Sequence, residues 1–163
     1  MRQYFNLVLL CSAVAFVGGT MVGPLITVGG VTPDFPIIAL VILALAAGPV
    51  PATVGGFLLG LVQDLSNPAL LGVQALCKTV LGFGLGRLRG RLVHGMPLVE
   101  ATVVALSVVA HDMVFLVIQS SFTTEGSFLS LFTRTLPSAV YSGLLGIPLL
   151  RLAEYLGILR QED

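Results

Sequence analysis

The chain has 163 residues, 56% of them hydrophobic and only 10% charged, with eight basic residues balanced by eight acidic ones. Its mean hydropathy is +1.02. Ordinary soluble domains carry roughly 25% charged residues, and a water-soluble fold of this size exposes too much surface to hide so apolar a chain. The balance points to an integral membrane protein, and it excludes a basic patch built for nucleic acid.

Six apolar segments follow in chain order. A spanning helix takes about 20 residues, so the six occupy nearly the whole of residues 1–163 as one transmembrane domain. The first covers residues 4–28. Met1-Arg2 followed by Leu7–Val17 looks superficially like a secretion signal, but the apolar stretch continues through Met21 to Val28. It is read as a retained helix, weakened near its outer end by Gly23-Pro24. The second segment, 32–47, opens on Thr32-Pro33-Asp34, with Thr as cap, Pro at the first helical position and Asp in the first turn. Gly48-Pro49-Val50-Pro51 stops it.

The third segment, 51–65, ends before Ser66-Asn67-Pro68. At 1.5 Å per residue the second and third helices are each roughly 22 Å long, short of a hydrocarbon core of about 30 Å. The fourth runs over 70–88, the fifth over 97–121 and the sixth over 131–156. Cys11 and Cys77 both fall inside apolar runs and read as small core residues.

Orientation follows from the basic residues. With the N-terminus inside, Arg2, Arg87, Arg89, Arg91, Arg151 and Arg160 lie on cytoplasmic segments, leaving Lys78 and Arg134 outside. That satisfies the positive-inside rule and places both termini of a multi-pass membrane protein in the cytoplasm. Arg87, Arg89 and Arg91 close the fourth helix, where cations suit the helix C-terminus and the headgroups.

Four charged residues fall in the outer half of the bundle: Asp64, Lys78, Asp112 and Arg134. Unpaired charges there cost several kcal/mol each. Either they form a polar cluster that binds something, or they make internal ion pairs with one residue reaching the interface. Adjacent helix positions point about 100° apart, so His111 and Asp112 make a poor metal pair. The chain has no HExxH, CxxC, phosphate loop or dinucleotide fingerprint, and Ser142-Gly143 lacks the surroundings of a serine nucleophile. No enzyme, cofactor or metal is expected. Gly56 and Gly60 on the third helix, and Gly82 and Gly86 on the fourth, form small-xxx-small pairs that serve internal packing or a partner helix.

These features meet in a resemblance. Pro33-Asp34 opens the second helix, and the glycine-rich third closes on Leu61-Val62-Gln63-Asp64. Leu71-Gly72-Val73-Gln74-Ala75-Leu76 follows, and the fourth helix ends on Gly82-Phe83-Gly84-Leu85-Gly86-Arg87. Over residues 33–91 this pattern resembles the rod shape-determining protein MreD family. The resemblance implies a non-enzymatic scaffold in bacterial cell elongation and peptidoglycan synthesis. It further implies association with an MreC-like single-span protein and with the complex of MreB, RodA and a penicillin-binding transpeptidase. A homodimer is compatible with it.

On that reading Asp34, Gly56, Gly60, Asp64, Gly72, Lys78, Gly82, Gly86, Asp112 and Arg134 are partner-binding or structural. Asp64 would cap the Ser66–Leu71 turn or pair with Lys78, while the glycine faces receive a partner helix. The all-α, six-helix outline is also similar to the substrate-binding subunit of energy-coupling-factor vitamin transporters. Such a subunit would bind a vitamin in the outer half, and the shortage of aromatic residues there favours the scaffold.

Overall fold

The computed structural model describes residues 15, 17–27, 30–65, 71–89, 96–122, 131–156 and 158, and among these the regular structure is helical. A π-helical turn, Gly18–Val22, passes into a 3-10 turn, Gly23–Ile26. Five α-helices follow: α1 (Phe35–Ala47), α2 (Pro49–Asp64), α3 (Val73–Leu88), α4 (Pro97–Phe122) and α5 (Leu136–Tyr155). A second π-helical turn, Leu131–Thr135, leads directly into α5.

Helix α1 starts later than Thr32-Pro33-Asp34 implies. Asp34 is the cap itself, its Oδ1 accepting from the Ile37 amide at 3.0 Å, and Pro36 takes the first turn. A short carboxylate satisfies an orphan amide best from outside the helix, which is why Asp34 stays extended-side rather than helical. Gly48, at φ +83°, is the single residue that turns α1 into α2, and prolines at 49 and 51 suit the start of the next helix.

The thirteen-residue α1 is apolar on every side and lies at the centre. Ile37, Ile38, Val41, Ala44 and Leu45 share a core with Ala52 of α2, Leu85 of α3, Val104 and Val108 of α4, and Ala139 and Leu150 of α5. Helices α2 and α3 form a close hairpin. A β-carbon at Gly56, Gly60, Gly82 or Gly86 would come under 3.0 Å from backbone atoms of Lys78, Ala75, Ala52 or Pro49 respectively. These four glycines are consumed by the hairpin itself, so the expectation that they receive a partner helix gives way to backbone-to-backbone packing. Gly143 plays the same part between α5 and α4, against Ala101.

The outer surface is largely apolar, and a few polar side chains are sealed within the apolar core. Leu98 is 79% exposed and Leu65 68%, whereas the side chains of Lys78 and Asp64 are buried. Two stretches, Leu98–Gln119 and Thr133–Tyr155, are long and apolar enough to cross a membrane. The described residues do not cover most of the first expected span, the 66–70 turn, or residues 90–95 with Arg91 and His94.

Candidate functional site

The polar interior begins at the tip of the α2–α3 hairpin. Helix α3 is entered through Gly72, whose φ of +94° suits glycine and which has no side chain to cap the first turn. Asp64, at the last position of α2, does that work from the neighbouring helix. Its carboxylate accepts from the amides of Gly72 (3.0 Å), Gln74 (3.1 Å) and Ala75 (3.0 Å). The helix N-terminus presents both unpaired amides and a positive dipole end, so an anion is stabilised there. Asp64 is 1% exposed, and three charge-assisted bonds offset the cost of burying it. The expected Asp64–Lys78 ion pair does not form among the described residues.

Lys78, one turn further along α3, is 0% exposed. Its Nζ donates to Gln74 Oε1 at 2.8 Å and lies 3.0 Å from His111 Nε2 on α4. His111 Nε2 is also 2.9 Å from Gln74 Oε1. The other ring nitrogen, Nδ1, lies 3.0 Å from Asp112 Oδ1, and Thr135 Oγ1 donates to Asp112 Oδ2 at 2.8 Å. A carboxylate beside Nδ1 suits the tautomer with its proton there; Nε2 and Gln74 Oε1 are then two acceptors that share the Lys78 ammonium. Despite the 100° offset between positions 111 and 112, these two side chains are in hydrogen-bond contact. His111 stacks on Phe115, with ring centroids 6.2 Å apart.

The result is a polar rod from α3 through α4 to the start of α5. Asp64, Lys78 and Asp112 gather at one end of the bundle. Arg134 lies in the turn before α5, exposed, and is not part of the rod. Asp34 sits at the head of α1, where its amide donates to the buried Ser142 Oγ at 2.9 Å. Tyr141 and Ser138 of α5 donate to the carbonyls of Ile26 and Thr32, so α5 holds the whole approach to α1.

Gln74 and Thr135 are polar partners that sequence reasoning missed, and His111 and Ser142 were weighed there only as a metal ligand and a nucleophile. Each is a common residue on an apolar helix, and only the packing of separate helices brings it to its partner. Among the described residues no group of three His, Cys, Asp or Glu side chains converges on a metal-sized site. At the opposite end, Arg87 lies over the Phe83 ring at 5.3 Å, and Arg89 reaches towards Gly48 at the α1–α2 junction. Arg151 bridges Glu100 of α4 and Glu154.

Chemically, the rod joins three helices by hydrogen bonds whose donors and acceptors all come from this chain. Compared with known families, the chain matches the model for the rod shape-determining protein MreD over residues 1–156. The chain belongs to the MreD family. Membership carries a role in rod-shape determination and places the chain among membrane proteins. No curated protein and no solved structure matches the chain.

Proposed function

We propose that this MreD-family chain is a non-enzymatic scaffold in the inner membrane, serving the complex that elongates the cell and builds peptidoglycan. It spans the membrane six times with both termini in the cytoplasm. It binds an MreC-like single-span protein through transmembrane contacts, and MreB, RodA and a penicillin-binding transpeptidase join directly or through that protein. Family membership over residues 1–156 carries the reading.

The character of the polar interior supports it. A substrate-binding subunit keeps polar groups free for a ligand, whereas the buried Asp64, Lys78 and His111 spend theirs on Gln74, Asp112 and backbone amides. Such a network fixes helix positions, which is what a scaffold requires.

Affinity purification of the tagged protein at native expression, in mild detergent with mass spectrometry, tests the proposal. An MreC-like protein with elongation-complex members is the expected eluate. A membrane subunit with ATPases, or a bound vitamin-sized molecule, would replace the scaffold with a transport subunit.

A further inference from the structure

Asp112 reaches the surface from the polar rod: its side chain is 28% exposed, against 3% for His111 beside it. Its depth makes this unusual. Along the candidate span Leu98–Gln119, Asp112 lies about 5 Å from the midpoint at 1.5 Å per residue. That is about 10 Å inside a hydrocarbon layer of about 30 Å. The flanking surface is apolar, with Met113 and Leu136 (next to Thr135) both exposed.

Each oxygen of Asp112 takes one bond inside the chain, Oδ1 at His111 Nδ1 and Oδ2 from Thr135. An ionised carboxylate accepts about four, so Asp112 keeps acceptor capacity to spare. Acceptors left open at this depth are expensive. Phospholipid headgroups lie too far away, and their phosphates carry the wrong sign. A second copy docked about a twofold axis here would set one Asp112 against another, like charge on like. Arg134 makes no ion pair with Asp112 among the described residues.

We propose that Asp112 is the polar anchor of a docking surface on the α4–α5 face. Its occupant is one membrane-spanning helix of another protein that carries a hydrogen-bond-donating side chain at the same depth. Met113 and Leu136 form the apolar rim that this helix covers. His111 and Thr135 hold the carboxylate in place from behind, so the anchor is preorganised by the rod that stiffens the fold. This rests on the scaffold reading above and names the surface that reading leaves open, because the α2–α3 glycines are already occupied.

The test is binding of the MreC-like single-span protein to the full chain in lipid nanodiscs. Asp112→Leu should weaken binding by about threefold to tenfold, the range for one interhelical hydrogen bond. Met113→Trp, which leaves the bonds of Asp112 untouched, should weaken it by a similar factor through bulk. Affinity unchanged in both variants would overturn the inference and leave the scaffold reading standing.

A photo-crosslinking residue at Met113 or Leu136 in native membranes separates the remaining cases. An adduct with the transmembrane helix of another protein, reduced by Asp112→Leu, is expected. Adducts with lipid alone, or with a second copy of this chain, would refute the docking surface. Failure of the wild-type chain to bind any MreC-like protein would sink the scaffold reading instead, and the crosslink would then decide the anchor by itself.

Discussion

Asp64 illustrates how one residue can be read as exceptional while its partner stays open between two. An acid in an apolar run is costly enough to demand a reason, and two reasons were open: a cap or an ion pair with Lys78. The geometry selects the cap, because Gly72 enters α3 with a backbone twist that leaves its amides facing the end of α2. Removing a cap costs about 0.5–2 kcal/mol, and bonds to a charged acceptor are worth about 1.5–3 kcal/mol each. Asp64→Ala should therefore destabilise the protein by about 2–4 kcal/mol, with Asp64→Asn milder because one amide oxygen still accepts. Unfolding in detergent micelles measures this, and unchanged stability would remove Asp64 from the hairpin. The charge swap Asp64→Lys with Lys78→Asp should rescue nothing. Recovery in a double-mutant cycle would reinstate the ion pair.

Helix pairs in lipid lack the hydrophobic drive that joins them in water, so they rely on close backbone approach and on polar contacts. The α2–α3 hairpin uses the first device and the α3–α4 contact the second. Gly82 and Gly84 make the contrast measurable, since they lie two residues apart on one helix. A side chain at Gly82 meets the Ala52 carbonyl, whereas around Gly84 there is open space. Gly82→Ala should destabilise by about 1–3 kcal/mol through overpacking. Gly84→Ala should be neutral or gain up to about 1 kcal/mol from helix propensity. Equal effects at the two positions, read from melting curves of both variants, would contradict the hairpin packing. Element types and approximate ends were legible from hydropathy and from Gly and Pro. The start of α1 was not, because Thr32 and Asp34 are both good caps and only the Ile37 amide shows which one acts.

For the whole molecule, the inverted distribution of polarity is the governing fact. Exposed Leu, Val and Phe cover the outside while Lys78 and Asp64 are sealed within, an arrangement that water would penalise and lipid rewards. On the topology proposed above, orientation depends on Arg87, Arg89 and Arg91, whose charge at the end of α3 and in the segment after it opposes translocation. Replacing all three with Ser should disturb topology more than partner binding. A cysteine-accessibility map of such a variant should show misplaced ends, and a map with both termini still cytoplasmic would assign orientation to other residues.

By itself, the sequence determined the solvent, the helical class and the family, because these rest on composition, hydropathy and local motifs that survive without a fold. It also marked the residues whose burial is expensive. Tertiary structure alone decided what those residues touch. The bond between Lys78 and His111 joins positions 33 apart in the chain, and that between Asp34 and Ser142 positions 108 apart. Helical periodicity says which residues share a face, but which face meets which neighbour is set by the packing of all the helices at once. The same packing used up Gly56, Gly60, Gly82 and Gly86 and left the edge of Asp112 uncovered.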